Sequence, residues 1–442
     1  MSPAAIHIET WGCSFNVSDS EVMAELLGRA GYRLTDCADS ADLVLMNTCT
    51  VKDRTFRNFC KRLAQLRSGS QAVVVAGCIP KANEQLDELV NVSVIGPDTI
   101  AQLPEVVAQT LAGRVVHCLH AADGGAGRLE LPHRRRNRYI QILPIARGCV
   151  GACTYCQTRR ARGGLISFHP DRILEQARRA IAEGVVELWV TAQDVGAYGS
   201  ETGWSLLELL DRLCSLSGNF RVRLGMSNPL WMWRRLSGLL DVLAHPKMFT
   251  FLHLPLQSGS DRVLQHMNRP NTVTQFLDIC EAFHQRFPHG ALMTDLIVGY
   301  PTETEQDFKG SLRVLRQARP AAVNRSKYSP RPGTPAAALR PHHSRVLAER
   351  SARLDRHVRR FARQYHRHQV GRVEQVLTEE RRKPGTTLAR NPAWRPVVLP
   401  GDWPLGCFHT VRHVGAADFH LCAVALDHDV PVPELHEDRM IS

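Results

Sequence analysis

Cys149, Cys153 and Cys156 stand in the run C-V-G-A-C-T-Y-C, three residues and then two apart. Three thiolates this close on one loop can hold three irons of a cubane cluster, for which thiolate is the usual protein ligand. The fourth iron then has no nearby cysteine and is open to a small molecule. A structural zinc loop is the other reading, although zinc takes a fourth ligand and usually uses C-x-x-C pairs. Three more cysteines recur in a different way. Cys13 lies in T-W-G-C-S-F-N, Cys49 in N-T-C-T-V and Cys78 in A-G-C-I-P, each directly after a short apolar run (5–9, 42–46 and 72–76). Such β-branched runs read as buried parallel strands, whose carboxyl ends share one edge of the sheet. The three cysteines should therefore converge and hold a second cluster, again with one open iron. Three small core residues are the alternative, since free cysteine is often buried. Gly12 and Gly77, just before two of them, suit close backbone approach.

The loop spacing, with the aromatic Tyr155 before its last cysteine, resembles the signature of the radical S-adenosylmethionine (SAM) superfamily. The resemblance implies that the open iron chelates SAM and that one electron from the cluster cleaves it to a deoxyadenosyl radical. Together with Gly12-Cys13-Ser14-Phe15-Asn16, Asn47-Thr48-Cys49 and Gly77-Cys78-Ile79-Pro80, the chain resembles the methylthiotransferase family within that superfamily. This implies two 4Fe–4S clusters, with Cys13, Cys49 and Cys78 holding the one that carries the inserted sulfur.

The elements that position these residues suggest an α/β chain in three parts. Residues 1–120 predict a doubly wound parallel sheet in the order β-α-β-α-β, with a helix opened by Ser18 and Glu21 as a capping box. Residues 138–345 hold six strand candidates (139–145, 185–191, 220–225, 249–255, 291–299 and 321–328), most separated by helical patterns. Six β/α units predict a partial TIM-like barrel, (β/α)6, with its site at the carboxyl ends of the strands. The Cys149 loop follows the first strand. Gln193 and Asp194 follow the second, Arg223 and Ser227-Asn228-Pro229 the third, Gln257 with Ser258 the fourth and Gly299-Tyr300-Pro301 the fifth. Polar groups at strand ends are what a carboxylate, an amine and a ribose need for orientation. The resemblance carries a SAM-pocket role onto Tyr155, Gln193, Asp194, Arg223 and Gln257, while Asp194 read by itself is a helix cap.

Within the family, Val190-Thr191-Ala192-Gln193-Asp194-Val195-Gly196-Ala197-Tyr198-Gly199 and Gly225-Met226-Ser227-Asn228-Pro229 resemble the archaeal and eukaryotic branch. That branch methylthiolates threonylcarbamoyladenosine beside the tRNA anticodon, at carbon 2 of the adenine. Sister branches act on isopentenyladenosine in tRNA or on a ribosomal protein. A peptide substrate and a non-enzymatic iron–sulfur RNA-binding protein are the other readings.

Residues 345–368 read as one helix with two stripes. Leu354, Val358, Phe361 and Tyr365 form the apolar one, and Arg353, Arg356, Arg360, Arg363 and Arg367 the basic one, opposed within the helix only by Glu349 and Asp355. Like charges so spaced repel, so either a polyanion or solvent must face them. Residues 369–430 hold five β-like runs and predict a small barrel. They resemble the TRAM domain, an RNA-binding module, loosely after Phe408.

Composition supports this frame. The chain of 442 residues carries a formal net charge of +12, and basic proteins are drawn to polyanions such as RNA. Thirteen cysteines without a signal-peptide pattern point to a reducing compartment and metal chemistry rather than disulfides. No apolar run is long enough to span a membrane. A cytoplasmic enzyme is expected, with the tRNA anticodon region, an electron donor and a sulfur donor as partners.

Overall fold

Alternating apolar faces build the first sheet. The computed structural model describes residues 3–50, 53–121 and 126–426. Six parallel strands, β1 (Ala5–Thr10), β2 (Arg33–Leu34), β3 (Leu43–Thr48), β4 (Ala72–Gly77), β5 (Ser93–Ile95) and β6 (His117–Cys118), pair in the order β2-β1-β3-β4-β5-β6. On β3, Leu43 and Leu45 pack with Met23, Leu27 and Val106 on one face, while Val44 and Met46 pack with Phe59 and Leu63 on the other. Helices thus cover both faces, as continuous apolar strands require. The short β2, β5 and β6 were not among the expected strands, because two or three residues carry too little pattern to read.

The helix expected to open at Ser18 begins instead at Ser14, with Cys13 at its cap. Ser18 and Glu21 are buried inside it. Ser18 Oγ accepts from Arg128 at 3.0 Å and Glu21 Oε1 from the Arg136 N–H at 2.9 Å. The local capping-box match loses because both side chains are taken by these distant partners.

The central strands are β7 (Ile140–Pro144), the short antiparallel pair β8 (Ala146–Arg147) and β9 (Ile166–Ser167), then β10 (Glu187–Thr191), β11 (Arg221–Leu224), β12 (Phe251–His253), β13 (Ala291–Val298) and β14 (Ala322–Lys327). Parallel triplets β7-β10-β11 and β12-β13-β14 adjoin through a bridge between Val222 and Met248. This gives the expected open (β/α)6 barrel. Leu188, Val190, Val222 and Leu224 face the surrounding helices. Glu187, Trp189 and Arg223 alternate with them and face the lumen.

The last five strands, β15 (Val373–Lys383), β16 (Thr386–Arg390), β17 (Pro396–Pro400), β18 (Phe408–Ala416) and β19 (Leu421–Ala425), close into a barrel in the order β15-β16-β17-β19-β18. It docks on the amino ends of the central strands. Leu377 and Ala393 join Phe249, Phe251 and Ala291 in one apolar cluster, and Trp394 Nε1 donates to Glu187 at 2.8 Å. The helix Ser344–Arg367 leads into it, burying Leu354 and Val358 against the central core. Residues 427–430 of the expected third segment lie outside the described residues. No helix among the described residues is long and apolar enough to cross a membrane.

Candidate functional site

The loop that follows β7 and β8 is held by distant backbone. Thr154 N–H donates to Met267 O at 3.0 Å, Thr154 Oγ1 to His266 O at 2.9 Å, and Asn268 Nδ2 to Ala152 O at 2.9 Å. Gly148 enters the loop at φ +74°, where a Cβ would lie 1.9 Å from Gly164 O. Gly151 sits between the thiols: a Cβ there would be 3.5 Å from Cys149 Sγ and 3.8 Å from Cys153 Sγ. Burial, then the charges of Asp194, Cys153 and Cys156, push the Cys149 thiol up to about 12. Burial also raises Cys156, which the Thr158 hydroxyl and N–H partly offset. Thiols so placed keep their protons unless a cation takes the protons' place.

The second triplet is built by three strand ends that interlock. Asn16 Nδ2 donates to Thr48 O at 2.8 Å, and Asn47 Nδ2 returns to Asn16 O at 2.8 Å. Thr48 Oγ1 donates to Ala76 O at 2.6 Å, so β3, β4 and the start of the helix after β1 are tied together beside Cys13, Cys49 and Cys78. The two glycines are needed for this. A Cβ on Gly12 (φ +137°) would meet Cys49 Cβ at 2.6 Å, and one on Gly77 (φ +90°) would meet Thr48 O at 2.7 Å. Cys13 is exposed while Cys49 and Cys78 are buried. Burial raises the Cys78 thiol against the opposing pull of Arg162.

Arg162 reaches the strand-end triplet from the segment that follows the loop triplet. It closes the short helix Thr158–Arg162, which starts two residues after Cys156, and its Nε donates to Cys78 Sγ at 3.3 Å. Its Nη2 pairs with Asp19 at 2.6 Å, and Asp19 also pairs with Arg128 at 2.8 Å. The Phe15 ring lies under both guanidiniums, 4.6 Å from Arg162 and 5.0 Å from Arg128. Ser14 and Thr191 share a hydrogen bond of 3.0 Å, and Gln157 Nε2 donates to Asn83 at 2.7 Å, so the first sheet seats on the barrel mouth. Sequence reading missed Arg162, Asp19 and Arg128, because their pairing crosses more than 100 residues.

The expected SAM-pocket residues divide. Asp194 lies near Cys149 and Arg269, and burial raises its carboxyl. Its Oδ1 accepts from Gly196 N–H at 3.1 Å and Asn228 N–H at 3.0 Å, which makes it a cap as well. Tyr155 lies beside Cys153 and Arg269. Gln193 Oε1 is buried with no hydrogen-bond partner, as is Ser258 Oγ next to Gln257. Gln257 itself adopts φ +75°, a strained backbone for a side-chain-bearing residue, while pairing with β13. Arg223 sits lower in the lumen. It stacks 4.2 Å from the Trp394 ring, also facing Trp189 and Phe251, and burial lowers it to about 10. Its neighbours are thus Trp394 from the C-terminal barrel and two rings of the central strands. Arg269, absent from the sequence-based set, packs against Cys153 and Tyr155.

On the helix Ser344–Arg367 the basic stripe is partly neutralised by acids from elsewhere. Arg353 pairs with Glu305 at 2.6 Å and Arg363 with Asp418 at 2.8 Å. The expectation that only Glu349 and Asp355 oppose the stripe is thus corrected, since tertiary neighbours were invisible in the helix's own sequence. Arg356, Arg360 and Arg367 are exposed. Lys309, Arg313 and Arg316 of the neighbouring helix join Arg353 and Arg356 around a cavity of about 380 Å³.

Among the described residues no group of three His, Cys, Asp or Glu side chains is arranged to hold a single metal ion. Thiolates that each take a different iron of a cubane need not converge on one point, so a cluster does not require such a group. The glycine cradles, the all-thiol donor sets and the orphaned Gln193 and Ser258 oxygens fit two clusters and a polar ligand.

The family model "Radical SAM superfamily" matches residues 143–315, and "Uncharacterized protein family UPF0004" matches residues 5–95. The chain is 36% identical over 418 residues to "Probable threonylcarbamoyladenosine tRNA methylthiotransferase" of Pyrococcus horikoshii, covering 94% of this chain and 98% of that protein. It is 37% identical over 402 residues to the threonylcarbamoyladenosine tRNA methylthiotransferase of Homo sapiens, covering 89% and 69%. A radical S-adenosylmethionine methyltransferase, TsrM, from Kitasatospora setae shares the fold, with a TM-score of 0.55 at 13% identity over 76% of this chain and 75% of that one. The chain belongs to the threonylcarbamoyladenosine tRNA methylthiotransferase family, within the radical SAM superfamily.

Proposed function

We propose that this protein is a transferase that inserts a methylthio group at carbon 2 of threonylcarbamoyladenosine, next to the anticodon of tRNA, and that it works in the cytoplasm. One observation carries the reading: two cysteine triplets follow the carboxyl ends of parallel strands in two adjoining parts, and Arg162, six residues after Cys156, donates to Cys78. When bound, a 4Fe–4S cluster with SAM supplies the radical that activates an inert C–H bond and a second cluster supplies the sulfur, chemistry that side chains cannot perform.

The chain's own residues hold and orient. Cys149, Cys153 and Cys156 hold one cluster, and Cys13, Cys49 and Cys78 the other. Tyr155, Gln193, Asp194 and Gln257 orient SAM, with Ser258 and Arg269 as further polar contacts. Arg223 contributes a positive charge from the lumen. The Ser14–Thr191 contact holds the first sheet against the barrel mouth. An electron donor and a sulfur donor complete the reaction. RNA is held by phosphate contacts from Arg356, Arg360 and Arg367, from the lysine and arginines around the 380 Å³ cavity, and from the closed C-terminal barrel. An anticodon loop is single-stranded, so its adenine can be splayed out and read.

Mass spectrometry of tRNA nucleosides from cells with and without the protein tests this. Loss of the methylthio derivative of threonylcarbamoyladenosine is expected. Loss of the isopentenyladenosine derivative, or a methylthio group on a peptide, would overturn the substrate while leaving the two-cluster chemistry intact.

A further inference from the structure

Behind the strand-end triplet lies a cavity of about 220 Å³ that neither cysteine set uses. Phe15, Asp98, Thr99, Arg128, Arg147 and Arg162 are among its walls. The three arginines are 7%, 6% and 3% exposed, respectively, so three guanidiniums are buried around one small space. Two carboxylates face them: Asp19, shared by Arg128 and Arg162, and Asp98, 2.6 Å from Arg147. Arg162 also spends a donor on Cys78. The donors left over are specific. Arg128 Nε and Nη1 and Arg147 Nε are buried without a hydrogen-bond partner. Burying guanidinium N–H groups unpaired is costly, and a charge-assisted acceptor relieves that cost most effectively.

A second feature points the same way. Residues 98–102, at the amino end of the helical segment Ile100–Gln102 and Leu103–Leu111, form another wall. A helix amino terminus presents N–H groups and a positive dipole end to an anion. The cavity shares Phe15 and Arg162 with the strand-end triplet, so an occupant would lie one side chain away from Cys78.

We propose that this cavity is an anion subsite that takes a carboxylate or a small oxyanion. Two sources supply that chemistry. One is the free carboxylate that a threonylcarbamoyl group carries, an assignment that rests on the activity proposed above. The other is a free small anion in solution. In the first case Arg128 and Arg147 anchor the side group of the nucleoside while its base reaches the cysteine triplets, and they select against adenosines with a neutral side group.

The test is a binding experiment on anaerobically reconstituted full-length protein. Anticodon stem–loop RNA carrying threonylcarbamoyladenosine is titrated beside the same RNA with that carboxylate as its methyl ester. Two variants accompany the wild type. Arg128→Gln removes two of the three unpartnered donors, Nε and Nη1. Ala101→Glu places a negative charge at an exposed position on the cavity wall and spares the core if Arg128→Gln folds poorly. The wild type should bind the acid about tenfold more tightly than the ester, a typical effect of charge-assisted hydrogen bonds. Both variants should lose that preference while holding the ester within about twofold of wild type. A parallel calorimetric titration with acetate and with inorganic phosphate, at constant ionic strength, reads the second source. Saturable binding that both variants lose, with acid and ester RNA bound alike, assigns the subsite to a free anion. Acid and ester bound alike, with no variant-sensitive binding of acetate or phosphate, overturns the proposal. Preferential binding of the acid without methylthio transfer would refute the activity and keep the subsite, so the two failures are distinguishable.

Discussion

The two cysteine triplets reach similar ends by opposite constructions. Cys149, Cys153 and Cys156 come from eight consecutive residues of one loop, whose shape is set by hydrogen bonds to the backbone of residues 266–268. Cys13, Cys49 and Cys78 come from three strands, and the sheet itself is their scaffold. A loop can adjust its backbone around a ligand. A sheet edge cannot, because each strand end is fixed by its neighbours. The loop triplet should thus tolerate small steric changes and the strand-end triplet should not.

The sharpest way to break this comparison is to remove one thiol from each set. Anaerobically reconstituted protein should hold about eight irons, and Cys153→Ala and Cys49→Ala should each lose roughly half. Cys153→Ala should also abolish cleavage of SAM to deoxyadenosine, whereas Cys49→Ala should keep the cleavage and give no methylthio product. Full iron content in Cys49→Ala would remove the second centre altogether.

Glycine substitutions sharpen the contrast next. Gly77→Ala forces a left-handed backbone on alanine and sets its Cβ 2.7 Å from Thr48 O, so it should cost about 1–3 kcal/mol locally and empty the strand-end site of iron. Gly151→Ala meets only ordinary contacts of 3.5 and 3.8 Å with two thiols, and its iron content should stay near wild type. Iron analysis and electron paramagnetic resonance of the two variants decide between the constructions. Equal losses would mean that the loop is as rigid as the sheet.

A smaller effect is expected where the two sites meet. Arg162→Gln removes a positive charge from beside Cys78 while leaving all six thiols. Iron should be retained, but the strand-end cluster should become harder to reduce, by on the order of 60 mV, a tenfold change for one electron. A redox titration that found only the loop cluster shifted would reverse the assignment of Arg162.

The smallest expected effect is a pH dependence confined to the strand-end region. Burial raises the Glu21 carboxyl from 4.5 to about 7, partly offset by the Arg136 N–H and nearby arginines. The folded state therefore binds a proton more tightly than the unfolded chain, and stability falls as pH rises from 4.5 through 7. The loss is at most about 3 kcal/mol, and Glu21→Gln should flatten it. Urea midpoints at pH 5 and pH 8 measure it. A wild type that grew more stable over this range, relative to Glu21→Gln, would contradict the burial argument.

Much of this molecule was legible because its signals are local. The loop spacing needs only eight residues of sequence. The long strands, from β1 and β3 through β14 to the five of the closed barrel, announce themselves by apolar runs bounded by turns. The helix Ser344–Arg367 shows its two stripes within one residue of the expected bounds. Convergence of Cys13, Cys49 and Cys78 was legible at one remove, since parallel strands put their carboxyl ends on one edge whatever their order. The sequence did not reveal what depends on partners far along the chain. The Ser18–Glu21 pattern matched a capping box, yet both residues serve contacts to Arg128 and Arg136, more than 100 residues away. Arg353 and Arg363 matched an open basic face, yet Glu305 and Asp418 meet them.

By itself, then, the sequence determined which thiols carry a cluster-like spacing and which segments form strands, because residue spacing and backbone periodicity are properties of short stretches. Only the tertiary structure decided which charges are paired, that Arg162 reaches Cys78 from the helix after the loop triplet, and that three arginines surround a buried cavity. Electrostatic energy depends on distance through space and on burial, and neither is written in the spacing of residues along the chain.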